Sequence, residues 1–185
     1  MPINIILLLD SSGSMSSMGN EPVEAINKFI TDQKLQMEEG SDDKVTLYTF
    51  SNVINPIFRD VPLADCKEFK DYHPNGCTAL YDCIDQAIKN VENKEIPTVM
   101  VIVTDGQDNS SKLSANQAKQ LMDEMRNKHT WNILFLAKGE DAFEEQQKLG
   151  IARGSTTEFG ETLECAMSSF VSSAVTKERA RVSRK

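Results

Sequence analysis

Three nearly unbroken apolar runs punctuate the chain. Ile3 to Leu9 ends in Asp10, Val99 to Thr104 ends at Asp105, and Trp131 to Ala137 is the third. Runs of this length and content predict strands buried on both faces, as in a parallel sheet. Val45 to Phe50 alternates and is also β-rich. Val53 to Val61 resembles it but contains Pro56, which cannot donate to a ladder, so this strand is expected at an edge. The short Ser51-Asn52 link between those two predicts an antiparallel pair.

Helical spacing fills the intervals. From Glu21 to Glu38 the residues Val23, Ile26, Ile30 and Met37 share a face, and Gly40 stops the run. Leu80, Ile84, Ala87, Ile88 and Val91 share another, predicting a helix over 79–93. A third runs from a Ser114 N-cap to Lys128, with Ala115, Ala118, Leu121, Met122 and Met125 inward. Shorter elements are expected as helices over 64–69 and 141–149, a weak strand at Ile151-Ala152, and a last helix from Thr162. Strands alternating with helices define an α/β fold with a largely parallel sheet covered on both faces. Ligands of such sheets bind at the carboxyl ends of strands where the strand order reverses. Asp10 and Asp105 each close a fully apolar strand, so neighbouring strands would bring both carboxylates into one crevice.

Composition narrows the picture. A chain of 185 residues with 39% apolar content suits a single domain over 1–185. The longest apolar run is too short to cross a bilayer, and no basic residue precedes it, so no signal peptide is expected and the location is read as cytoplasmic. The net charge is −8, and residues 177–185 hold five basic groups against one acid, so the body is more acidic still. That balance argues against nucleic acid and suits a cation. The basic tail reads as a solvated helix end, without the bulky apolar residues a membrane anchor needs. Cys66, Cys77, Cys83 and Cys165 show no C-x-x-C spacing, and His73 and His129 stand apart, so no zinc cluster is expected.

The candidate chemistry lies in three segments. Asp10-Ser11-Ser12-Gly13-Ser14 follows the first strand and can present one carboxylate and two hydroxyls. Gly76-Cys77-Thr78-Ala79-Leu80 precedes a helix, and Thr104-Asp105-Gly106 follows a buried strand. Their donors are all oxygen, which suits a hard divalent cation such as Mg²⁺ or Mn²⁺. Asp-x-Ser-x-Ser alone is a weak signal; the three segments together are not.

Over about residues 3–175 the sequence resembles a von Willebrand factor A (integrin I-like) domain. Asp10, Ser12, Ser14, Thr78 and Asp105 match its metal-ion-dependent adhesion site, and Gly13, Met15, Gly76, Ala79, Leu80 and Gly106 fit common usage. The short form with TDGQDNSS resembles free-standing intracellular prokaryotic and viral members. The resemblance implies a doubly wound, Rossmann-like six-stranded mostly parallel sheet, order 3-2-1-4-5-6, with strand 3 antiparallel at an edge. It implies direct ligation by Ser12 and Ser14, ligation by Thr78 directly or through water, and an outer role for Asp10 and Asp105. A protein partner would supply a Glu or Asp to the metal, with the chain a monomer on its own and not an enzyme. The competing reading is a Mg²⁺-dependent phosphohydrolase, but Ser12 and Ser14 lack an evident activating base, and the sequence has no G-x-S-x-G elbow. Asp108 and Asn109 read as a solvated loop, His73 as a surface turn residue, and Cys77 as a small buried residue. Met15 and Met18 either plug the loop from beneath or face a partner.

Overall fold

The computed structural model describes residues 2–159 and 162–184. Its six strands are β1 (Asn4–Asp10), β2 (Lys44–Phe50), β3 (Ile54–Pro62), β4 (Thr98–Thr104), β5 (Trp131–Ala137) and β6 (Thr156–Glu158). They form one sheet in the order β3-β2-β1-β4-β5-β6, with β3 antiparallel and the others parallel. Every residue of β1 and β4 is buried, which explains their unbroken apolar composition: a strand covered on both faces has no outward position to spare. Pro56 sits on the edge strand β3, opposite Tyr48, as its missing donor requires.

Each face of the sheet has its own core. Ile5, Leu7 and Leu9 of β1, with Ile3 just before it, pack with Val99, Val101 and Val103 of β4 beneath α1 (Glu21–Gln36) and the C-terminal helices. Ile6 and Leu8, with Met100 and Ile102, face α2 (Leu80–Lys89), α3 (Ala115–Lys128) and α4 (Glu140–Lys148). Alternate side chains of one strand therefore feed two cores. Burying one such Leu contributes about 1.5–3 kcal/mol, so β1 and β4 together anchor both cores. Ser114 caps α3 through a reciprocal capping box with Gln117.

The chain leaves β1 toward β2 and later returns past it to β4, so strand order reverses between β1 and β4. That reversal opens a crevice at their carboxyl ends. The irregular stretch from Cys66 to Thr78 closes over it. Asn27 of α1 holds this stretch through both peptide groups of Phe69, and the Tyr72 hydroxyl donates to the Asp10 carbonyl at 2.7 Å.

Several local expectations change. The helix expected over 64–69 is one 3₁₀ turn, Leu63–Asp65, because Cys66 is already extended. The second helix ends at Lys89 rather than 93. The weak strand lies at Thr156–Glu158, not Ile151-Ala152; Ile151 is buried against the α2/α3 core without joining the sheet. The last helix starts from a Thr162 cap as α5 (Leu163–Ala166), passes through a π turn at Met167–Val171, and continues as α6 (Ser172–Val182). The basic tail is not simply solvated. Arg179 donates to the buried Asp43 carboxylate at 2.9 Å and to Gln33, while Asp43 accepts the Ile3 N–H.

Candidate metal centre

Asp10 closes β1 and is fully buried. Its carboxylate accepts the Ser12 N–H at 2.7 Å and the Thr104 hydroxyl at 2.6 Å. Burial pushes its pKa from 3.8 up to about 6; the hydrogen bonds from Thr104 and Ser12 oppose this, and the charge of Asp105 adds to it. Among the described residues it makes no ion pair with a cationic side chain. The loop then turns through the 3₁₀ segment Gly13–Met18. Met15 and Met18 are buried there, so they plug the loop from beneath.

The Ser12 and Ser14 hydroxyls lie 3.2 Å apart, and Ser14 donates to Asp105 Oδ1 at 2.7 Å. Asp105 follows directly on β4, the strand beside β1. Asp10, Ser12, Ser14 and Asp105 thus form one linked set of oxygens at the sheet's carboxyl edge.

Thr78 is brought beside this set by backbone contacts. Gly13 N–H donates to the Gly76 carbonyl at 3.0 Å, and Asn75 N–H to the Ser11 carbonyl at 2.8 Å. Gly76 has φ +78, and a Cβ there would lie 2.0 Å from Asn52 Oδ1, so glycine fits where other residues strain. Thr78 is buried, and among the described residues its hydroxyl makes no hydrogen bond. Cys77 points outward, contrary to the buried residue expected, because its inward-facing neighbour is Thr78.

The loop after Asp105 is more engaged than its composition implied. Asp108 accepts the Tyr81 N–H and the Ser111 hydroxyl. Asn109 Oδ1 accepts the Thr78 N–H at 2.8 Å. Gln107 donates to Asp141 and Glu144 of α4, and the fully buried Glu145 accepts from the Asp108 N–H. Thr104, Tyr72, Asp108 and Asn109 are contributors that sequence reasoning missed or read as solvent-facing. A signal existed for Thr104, a hydroxyl at the last position of an otherwise apolar strand.

The donor set fits a hard cation by its chemistry. It holds two carboxylates and three hydroxyls in a partly desolvated crevice, with no sulfur or imidazole in it. No group of three or more His, Cys, Asp or Glu side chains that could hold a metal ion is found among the described residues, and this set instead combines two carboxylates with hydroxyls. No histidine hydrogen-bonds to Ser12 or Ser14 among the described residues, so neither hydroxyl has an imidazole to activate it.

A doubly wound sheet with an oxygen-lined crevice at its reversal point defines the class. The chain belongs to the von Willebrand factor type A domain family, whose model matches residues 4–159. Domains of this family are typically metal-dependent interaction or adhesion modules. No curated protein sequence matches the chain. Among solved structures it is similar to proximal thread matrix protein 1 from the mussel byssus with a zinc-occupied MIDAS motif (TM-score 0.69, 16% identity, covering 93% of this chain and 45% of that one). It is also similar to the pilus adhesin SpaC from Lactobacillus rhamnosus GG (TM-score 0.72, 12% identity, 96% and 30% covered). A third is the conserved hypothetical protein BatB from Bacteroides thetaiotaomicron (TM-score 0.61, 13% identity, 99% and 100% covered). At these identities the likeness shows the fold alone. The chain spans less than half the length of the mussel protein. No helix among the described residues is long and apolar enough to cross a membrane.

Proposed function

We propose that Asp10, Ser12, Ser14, Thr78 and Asp105 hold a divalent cation, Mg²⁺ or Mn²⁺, whose shell is completed by a Glu or Asp of a partner protein. The chain then acts as a metal-dependent binding module rather than an enzyme. One observation carries this reading. Asp10 is a fully buried carboxylate that makes no ion pair among the described residues, and it holds the N–H of Ser12, whose hydroxyl leads through Ser14 to a second carboxylate. Buried charges are ordinarily paired or coordinate a metal. The zinc-occupied motif of the mussel neighbour supports a divalent cation. Hydroxyl and carboxylate donors favour Mg²⁺ or Mn²⁺ over zinc here.

Asp10 and Asp105 supply the negative charge, and Ser12, Ser14 and Thr78 supply neutral oxygens. A bound divalent ion would supply an open position and a residual positive charge for an incoming carboxylate. Met15 and Met18 are buried beneath the loop and Tyr72 holds the Asp10 carbonyl, an ordered arrangement that would require little reorganisation when a partner docks.

Calorimetric titration of the chain with Mg²⁺ and Mn²⁺ tests the site. Wild type is expected to bind with modest affinity, and Asp10→Ala and Ser12→Ala to lose most of it. Capture of a protein from native cells in Mg²⁺, abolished by EDTA and by Asp10→Ala, tests the interaction. No response of wild type to either ion would overturn the reading.

A further inference from the structure

Thr78 stands where a helix cap is expected, yet it does not cap α2. The position before the helix, Ala79, offers no side-chain acceptor either. The leading donors of α2 are satisfied from another loop instead. Asp108 Oδ2 accepts the Tyr81 N–H at 3.1 Å, and Ser111 Oγ accepts the Asp82 N–H at 3.0 Å. One step earlier, Asn109 Oδ1 accepts the Thr78 N–H at 2.8 Å. The Thr78 carbonyl in turn accepts the Asn109 N–H at 3.0 Å and the Ser110 N–H at 3.1 Å. Both peptide groups flanking the Thr78 side chain are therefore gripped by residues 109 and 110. Its hydroxyl makes no hydrogen bond among the described residues, and its loop is joined to the Ser12–Ser14 loop by the Gly13 N–H on the Gly76 carbonyl.

The arrangement has a mechanical consequence. Asn109 lies four residues after Asp105, in the same loop, so three hydrogen bonds join the segments that carry Thr78 and Asp105. Capping in trans frees the threonine hydroxyl from the task a cap residue performs. It also fixes the direction of the Thr78 Cα–Cβ bond, from which the hydroxyl projects, through two held peptide planes.

We propose that Asn109 is a positioning residue: it clamps the Thr78 backbone so that the Thr78 hydroxyl faces the metal crevice. The ligand role of Thr78 is taken from the functional reading above, while the clamp itself is independent of any ion. Outer groups that orient metal ligands commonly change metal affinity by about 10–100-fold when removed.

The test uses Asn109→Leu, which keeps the side-chain size but removes the acceptor. The first readout is hydrogen exchange of the Thr78 amide in EDTA, followed by NMR. Exchange is expected to accelerate about 10-fold or more in Asn109→Leu, and to stay near wild type in Asn109→Asp, which retains an acceptor oxygen. The second readout is Mn²⁺ affinity, expected to fall about 10-fold. In a Thr78→Ala background the same substitution should change affinity by less than about 2-fold, because its effect travels through Thr78. Asn109 is exposed, so folding should survive; Asn109→Ala repeats both measurements if the leucine variant does not fold. Unchanged amide exchange in Asn109→Leu, or an equal affinity loss with and without Thr78, overturns the proposal. A wild type that binds no Mn²⁺ but loses amide protection on Asn109→Leu upholds the clamp and overturns the metal reading instead.

Discussion

The Thr104 hydroxyl, at the end of β4, donates to Asp10 Oδ2, at the end of β1, over 2.6 Å. This bond ties the two strands that flank the reversal point, and it is the strongest hydrogen-bonding influence favouring the ionised form of Asp10. Thr104→Val keeps the shape and removes the donor. An ionised carboxylate that loses a buried hydrogen bond should cost about 1.5–3 kcal/mol at pH 7. Urea denaturation in EDTA measures it, and the Asp10 pKa, followed by carboxyl NMR, should move above about 6. A variant as stable as wild type, with Asp10 unmoved, would show that the contact is incidental.

The pKa of Asp10 also sets a pH dependence whose sign is unusual for a carboxylate. Its folded pKa is raised, from 3.8 to about 6, so the fold favours the protonated form. The corresponding stability is present in full below pH 3.8 and is lost as pH rises through about 6. In EDTA, wild type should therefore lose on the order of 3 kcal/mol relative to Asp10→Asn between pH 4 and pH 7. A cation competes with that proton, so Mn²⁺ affinity should fall about tenfold per pH unit below pH 6. Identical pH profiles for the two proteins would mean that Asp10 is not desolvated.

The strands and loops that carry the candidate site were legible in the sequence because they obey simple rules. An apolar run of about seven residues that stops at a carboxylate reads as a buried strand ending at a charged edge, and both β1 and β4 follow that pattern. The edge position of β3 followed from a single proline. The trans-capping of α2 was not legible, because the Asn109–Thr78 bond spans 31 residues and a Gln-Asp-Asn-Ser-Ser loop has the composition of a solvated turn. Arg179 misled for a similar reason: five basic groups near a terminus look solvated, yet one of them finds a buried acid 136 residues away. Cys77 misled because loop residues have no periodicity from which to read a face.

The Arg179–Asp43 pair gives a prediction about stability at the other end of the sheet. Asp43 is buried and satisfies both the Ile3 N–H and Arg179. Arg179→Met leaves that carboxylate without its counter-charge, which should cost about 3 kcal/mol or more. Adding Asp43→Asn should recover part of the loss, because the stranded charge is gone. Urea midpoints of the two single variants and the double variant give the coupling. Purely additive losses would show that the two side chains act independently.

Gly76 separates two physical costs in the loop that delivers Thr78. Its φ is +78, a region an alanine enters only with strain. A Cβ there would also sit 2.0 Å from Asn52 Oδ1. Asn52 is exposed and its amide is the far end of a rotatable side chain, so it can swing away. The backbone strain has no such escape and amounts to about 1–2 kcal/mol. Gly76→Ala should therefore destabilise the chain by about that much, and Asn52→Ala should recover only a small fraction of it. Because the Gly76 carbonyl accepts the Gly13 N–H, the same substitution should disturb the spacing between the Ser12–Ser14 loop and Thr78 and weaken Mn²⁺ binding. Thermal melts and calorimetry on Gly76→Ala, with and without Asn52→Ala, read both effects. Full recovery on removing the Asn52 side chain would place the cost in the steric contact, and the left-handed backbone would then carry no constraint on the site.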